Sequence, residues 1–457
     1  MRENMLLIGT VRSDHLTGTE EDDRLYGAAG HDALVGNDGA DILFGNEGRD
    51  VLLGGSGTDA LFGNEGNDFL SGGEGSDTLF GGAGDDILLG GEGDDALSAG
   101  GGDDELTGGA GNDIFFTDGR DGWVSYDGGD GTDMIYLSEV SPGLNAGAIR
   151  IADMDSVEWI VNDDPDRPVD IRVQGDADFT GISTFNIRSI KGSFGNDAII
   201  AADTGGTVAG RAGDDSIRGG AGADSLVGGE GNDQLQSWGS DDTLSGGAGD
   251  DLLDDRSGSG GLLKGGDGND TLYGASDGSR LFGNGGDDII VTQGGASVVN
   301  AGSGDDLVVG RWGGAAWIEG KMGADKLHGS DFDDSLFGGD GADTLFGEDG
   351  DDILNGGKGD DTLFGEDGDD ILNGGKGDDY LWGGRGADRF VFRNSSGQDT
   401  IEDFSSGDLI DLSATSAGGF DELEIRGDGD AQIVFGSSVL TLIGVGASDL
   451  DAGNFLF

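Results

Sequence analysis

The chain has 457 residues, of which 100 are Gly, 3 are Pro and none is Cys, and its 92 acidic residues against 24 Lys and Arg give a formal net charge of −68. At 34% apolar, such a chain cannot bury enough surface to offset its ordering entropy unless something neutralises the carboxylates. The charge argues against nucleic acid and anionic membranes as partners, since both need Lys and Arg to replace counterions.

The first eight residues form a short leader whose apolar run, Met5 to Ile8, is too short for a signal-peptide core or a membrane span. Any export is therefore expected to use no N-terminal signal. From residue 9 to 116 the chain divides into 12 consecutive nine-residue units without insertion. Position six is always Asp: Asp14, Asp23, Asp32, Asp41, Asp50, Asp59, Asp68, Asp77, Asp86, Asp95, Asp104 and Asp113. Position eight is Leu from Leu16 to Leu106, then Phe115; position one is Gly except at Ala99; position four is Gly from Gly30 to Gly111.

The unit is G-G-x-G-x-D-x-U-x with U apolar, a known signature of calcium-binding parallel β-helices. Its x-U-x part suffices for a short strand with U inward. Its glycine-rich part permits a tight turn at positive φ. Such turns aim carbonyls and one carboxylate at a common point, and Ca²⁺ wants six to eight oxygen ligands. Two units make one coil, so like positions recur every 18 residues. An acidic flexible linker would have no reason to keep Asp and Leu in phase.

Residues 117–191 break the phase. GAIRIADM, VEWIV, VDIRVQGD and FNIRSI read as short strands, and the segment holds Pro142, Pro165 and Pro168. It is either a calcium-free β-helical relay between two rolls or a small ligand-binding module, with Asp163, Asp164 and Asp166 as a solvated loop.

A second series follows. Over 192–319 position six is Asp197, Asp215, Asp224, Asp233, Asp242, Asp251, Asp270, Asp288 and Asp306. Over 320–391 it is Asp325, Asp334, Asp343, Asp352, Asp361, Asp370, Asp379 and Asp388. Residues 347–361 and 365–379 are identical, a duplication by one whole coil. The losses of Asp (Gly206, the irregular unit 255–264, Ser279, Ser297, Ala315) fall on alternate units, so one edge should be empty over four rungs between 255 and 319 while the other keeps its ions. That edge carries Arg256, Arg280, Arg311, Trp312 and Trp317, either as partner or glycan contacts or as the residue of neutral decay. Tyr26, Phe44, Phe62 and Phe80, and again Phe346, Phe364 and Trp382, recur every 18 residues. They form either a surface for self-association or a stabilising ladder across rungs.

These units resemble the RTX (repeats-in-toxin) family. GADRFVF (386–392), GQDTIEDFSSGDLIDLSA (397–414), LTLIGV (440–445) and NFLF (454–457) resemble the C-terminal region of serralysin-type proteases and related type I secretion substrates. The resemblance implies an all-β, right-handed parallel β-roll in two arms, joined by the β-rich insert. It also implies many Ca²⁺ ions, a β cap over 392–457 carrying an export signal read by a type I ABC exporter, and an extracellular location. It carries over no catalysis: there is no H-E-x-x-H, and His15, His31 and His328 all lie in repeats. The one G-x-S-x-G, at 274–278, sits inside a repeat. The sequence is therefore read as non-enzymatic, a structural or interaction protein or a polysaccharide-binding accessory.

Overall fold

The computed structural model describes residues 4–119, 121–137, 148–162, 168–185, 187–239, 241–311 and 314–457. Pro142, Pro165, Asp163, Asp164, Asp166 and Trp312 lie outside the described residues. The described chain is strand and turn, with only three short 3₁₀ turns near its C-terminus and no helix long and apolar enough to cross a membrane. It divides into two compact units, Met1–Gly222 and Ala223–Phe457. Each is a parallel β-roll.

In the first unit two parallel ladders alternate along the chain. One runs through Arg24–Gly30, Ile42–Gly48, Ala60–Glu65 and Thr78–Ala83; the other runs through Ala33–Asp38, Val51–Ser56, Phe69–Glu74 and Ile87–Glu92. The register is 18 residues, so like positions stack: Leu25 on Leu43 on Leu61, and Leu34 on Leu52 on Leu70. These leucines are completely buried. Position eight thus fills a narrow core between the ladders. Its neighbours in the strand point outward, because successive side chains alternate faces.

The turn half of each unit needs glycine where coils approach most closely. At Gly66, with φ +136°, a Cβ would overlap the carbonyl of Gly48 one coil earlier. No L side chain fits there.

Residues 117–191 continue both ladders with longer coils. Met134 pairs with Trp159, Trp159 with Ser183, Ile149 with Ile171 and Ile171 with Ile190. The segment is part of the first unit's roll. Ile135, Ile149, Ile160 and Ile171 are fully buried there.

The second unit repeats the design from Ser225–Glu230 and Gln234–Gln236 onward. Its last coils are closed by an antiparallel meander, Glu424–Arg426, Ala431–Phe435 and Ser438–Leu442, whose final strand pairs in parallel with Gln398–Ile401. Phe455–Leu456 adds to Leu409–Ala414 on the other ladder. Solenoid ends require such covers, since open ends expose core and strand edges.

The position-nine aromatics stack face to face. Tyr26, Phe44, Phe62 and Phe80 have centroids 4.8, 4.7 and 5.0 Å apart with planes within 11°. Their ring faces are spent on one another, which is the ladder arrangement. Trimming one core leucine, Leu61→Ala, is expected to cost about 2–5 kcal/mol. Urea unfolding of the calcium-supplemented protein measures it, and an unchanged midpoint would contradict the stacked-core description.

Candidate metal centres in the turns

The position-six aspartates are buried; Asp50 and Asp113, for example, have no exposed surface. Each uses one oxygen for the protein. The Asp23 N–H donates to Oδ1 of Asp41 at 2.7 Å, Asp32 to Asp50 at 2.8 Å, Asp50 to Asp68 at 2.7 Å, and the second unit does the same from Asp233 to Asp251 and Asp352 to Asp370. The carboxylate therefore belongs to the coil after the amide it accepts from. The other oxygen, Oδ2, has no hydrogen-bond partner in more than two dozen aspartates among the described residues.

What Oδ2 faces is another oxygen. Within 2.5 and 2.6 Å of the point where a Cβ on Gly63 would stand lie Oδ2 of Asp68 and the carbonyl oxygen of Gly81. The same pair recurs at Gly54, with Asp59 and Gly72. Position one is glycine because that space is a cradle lined with oxygens. Buried acceptors without a donor demand an ion or a proton. If all were ionised and uncompensated, at roughly 1–3 kcal/mol each, the sum would exceed the ~5–15 kcal/mol that stabilises a whole domain.

The donor set fits calcium. It is all oxygen, mixes one carboxylate per turn with backbone carbonyls, and repeats between stacked turns. No group of three or more His, Cys, Asp or Glu side chains converges among the described residues, so carbonyls would supply most of the ligands. Without the ion, burial first, and then like-charged neighbours, raise the carboxyl pKa: Asp68 to about 6, Asp59 and Asp86 to about 7, Asp352 to about 8.

The open oxygen is found at Asp32, Asp41, Asp50, Asp59, Asp68, Asp77, Asp86, Asp95, Asp104 and Asp113, and at Asp215, Asp233, Asp242, Asp251, Asp270, Asp288, Asp306, Asp325, Asp343, Asp352, Asp361, Asp370 and Asp379. Asp224 donates to Asp242 and Asp388 accepts from Asp370, so both stand in the same rows. Three expected ligands differ. Oδ2 of Asp23, Asp197 and Asp334 accepts the N–H of the residue four positions earlier, Thr19, Ser193 or Ser330, at 2.5, 2.7 and 2.5 Å.

Sequence reading missed others. Asp133 is fully buried with an open Oδ2 beside Gly128. Residues 128–136, GGDGTDMIY, are a complete unit two residues out of phase, and scanning all phases finds it. Asp399 and Asp408 extend the rows beyond the repeats by accepting the amides of Asp379 and Asp388 at 3.1 and 3.0 Å. In the irregular unit expected to be empty, Asp255 is buried with an open Oδ2, held by the Ser237 hydroxyl at 3.0 Å.

Position five, variable in the repeat, forms a second row on the outside of the turn. Asp85 Oδ1 accepts from the Asp103 N–H, Asp94 from Asn112, Asp351 from Asp369 and Asp360 from Asp378, at 2.8–3.1 Å. At His31 the ring Nδ1 accepts from the Arg49 N–H at 2.8 Å. Here the side chain belongs to the earlier coil, opposite to position six. The signal was the Asp or Asn that precedes the invariant Asp in many units.

On the sparse edge, Arg280, Val298 and Trp317 lie in register on one sheet face. Trp317 is 45% exposed, tilts over Phe337 with centroids 4.6 Å apart, and donates from Nε1 to Glu319 at 3.0 Å. Arg311 is exposed. Arg256 pairs with Asp254 and covers the ring of Tyr273.

Comparison with curated proteins gave no match. Among solved structures, the crystal structure of the extracellular lipase LipA from Serratia marcescens matches 64% of this chain at 16% identity and a TM-score of 0.20. The match spans 45% of the lipase's length, and a likeness this slight carries no argument. The family model of the RTX calcium-binding nonapeptide repeat (4 copies) matches residues 8–43, 35–70, 62–97, 89–119, 201–235, 239–259, 262–281, 282–314, 319–354 and 355–390, well over half of the sequence. These are the stretches whose turns carry the open carboxylates, and the chain belongs to the family of RTX calcium-binding nonapeptide-repeat proteins.

Proposed function

We propose that this is a secreted calcium-folded protein that leaves the cell through a type I exporter and acts outside, without catalysis, as a structural or interaction component of a surface or matrix. The observation that carries the reading is the buried file of carboxylate oxygens with no protein donor. Where free Ca²⁺ is very low, these carboxylates repel one another and the chain stays unfolded, the form a narrow channel can pass. Where Ca²⁺ is millimolar, the ion binds only the folded form, so binding free energy becomes folding free energy. Extracellular calcium modules bind with dissociation constants of about 10⁻⁴–10⁻³ M, and many coupled sites make the transition sharp. The 392–457 segment supports the export reading through its resemblance to type I secretion substrates.

A second reading, a polysaccharide-binding accessory, is favoured by the in-register Arg280, Val298 and Trp317. They lie beside turns without carboxylates, where an acidic molecule repels a polymer least. A glycan array on the calcium-loaded protein and on Trp317→Ala separates the readings. Tryptophan-dependent binding supports the accessory role, and filaments or lattices by electron microscopy support the structural one.

Circular dichroism should show a disordered chain converting to β structure as Ca²⁺ is added, with EGTA reversing it and Mg²⁺ failing to substitute. A chelated sample that stays folded would refute the switch.

The raised carboxyl pKa values also set a pH dependence for the calcium-free protein. A folded-state pKa of about 6 to 8 against an ordinary 3.8 means that the fold prefers protonated carboxyls. Its stability is then greatest below about pH 4 and falls as pH rises through 6 to 8. In EGTA, acidification should restore β signal with a midpoint near pH 6–7. A midpoint near 4 would assign the effect to the exposed carboxylates instead. With calcium bound the sign reverses, since protons displace the ion.

A further inference from the structure

Most of the turns fall into two conformations, distinguished by the backbone of their second residue; in the turn of Asp224 that residue is Gly220, which lacks positive φ, and the aspartate's Oδ2 is not among the open ones. In the regular nine-residue turns with an open Oδ2, the second residue has positive φ even where it is not glycine: Ala28 at +85°, Asn46 at +78°, Arg211 at +100°, Lys321 at +88° and Glu348 at +77°. Positive φ is costly for such side chains, so the turn itself imposes it. The turn ending at Asp242 departs from the pattern; there the positive-φ residues are Gly239, at +127°, and Asp241, at +56°.

In four turns the second residue is Thr10, Thr19, Ser193 or Ser330, and none has positive φ. Each turns its N–H inward onto Oδ2 of the position-six aspartate: Thr10 to Asp14 at 2.5 Å, Thr19 to Asp23 at 2.5 Å, Ser193 to Asp197 at 2.7 Å and Ser330 to Asp334 at 2.5 Å. The hydroxyl of the same residue adds a second bond to that oxygen at 2.8–3.2 Å. Two donors then occupy the oxygen that is bare elsewhere. An amide hydrogen aimed into the cradle places positive charge where a dication would sit.

We propose that the backbone state of the second turn residue selects which turns take calcium, and that the turns of Asp14, Asp23, Asp197 and Asp334 are permanently ion-free, closed by a Thr or Ser in place of the ion. This rests on the calcium reading above and deepens it. A β-branched Thr resists the left-handed state, and either hydroxyl rewards the alternative with a hydrogen bond. Ser279 shows the same closure without a charge, its hydroxyl accepting the Ala275 N–H at 2.8 Å. On one edge of the second unit the turns ending at Ser279, Ser297, Ala316 (one residue beyond the Ala315 expected from the spacing) and Asp334 therefore offer no open carboxylate. The other edge offers Asp270, Asp288, Asp306, Asp325 and Asp343. Calcium would rivet one side of that stretch, and protein hydrogen bonds alone would hold the other.

The test is a crystal structure of the full chain grown with calcium, with anomalous difference maps read turn by turn. Peaks are expected beside Asp50, Asp68, Asp306 and Asp361, and none beside Asp14, Asp23, Asp197 and Asp334. Peaks of equal height at the closed turns would overturn this inference while leaving the calcium reading intact; peaks nowhere would overturn the calcium reading itself. Two variants check the cause. Ser330→Gly should add one peak, beside Asp334, and Gly375→Thr should remove the one beside Asp379. If Ser330→Gly folds and its turn stays empty, the second residue is not the selector.

Discussion

The fold is organised around a carboxylate oxygen that faces other oxygens. At most open turns Oδ2 of the aspartate and the carbonyl of the next coil's first residue point into the same small space. Protein atoms alone cannot make that stable when ionised. The other features of the unit follow from it. Position one has no side chain because the cradle occupies the space, and position four is glycine because the coils must approach closely enough to share an ion. Position eight is a leucine because, of the two inward positions in each strand, it is the one whose side chain fills the core, the other being the glycine of the next unit's position one.

Hydrogen bonds do what the ion cannot. It draws stacked turns together without fixing their lateral position, whereas the two side-chain rows fix it. Position six reaches back to the coil before, and position five accepts from the coil after. With strand pairing inside and these rows at the turn, each coil is pinned to its neighbours at several heights. The longer coils of residues 117–191 shift register at Val124/Ser125 and at Val169/Asp170 yet stay paired in parallel, with Ile135, Ile149, Ile160 and Ile171 buried between the ladders.

Most of this was legible in the sequence because the physics is periodic. An aspartate and a leucine held in phase at Asp23 and Leu25, Asp32 and Leu34, and onward announce a turn and a strand without any structure. What escaped was whatever breaks the period or hides in a variable position. Asp133 was hidden by a two-residue phase shift. The outer row was hidden because Ser13, His31 and Asp85 serve as equivalent acceptors while looking unrelated as letters. The closed turns were hidden because Asp23 and Asp334 satisfy the repeat, and what sets them apart from Asp32 and Asp352 is a Thr or Ser four residues upstream, at a position the repeat leaves variable. The stacking of Tyr26, Phe44, Phe62 and Phe80 was legible from their 18-residue spacing.

The opposed directions of the two rows make the ends of a roll unlike. A cut between coils would leave free amides at position six and free acceptors at position five on one fragment, and the converse set on the other. The two severed faces would be mates, so a truncated roll would carry a plug at one end and its socket at the other, the geometry of head-to-tail polymerisation. One end of each unit is blunted. Thr10 and the Met5 amide occupy oxygens of the first turns, while Asp399, Asp408 and the antiparallel meander occupy the last amides. At these two places the residues flanking the repeats leave no open row for another coil to join.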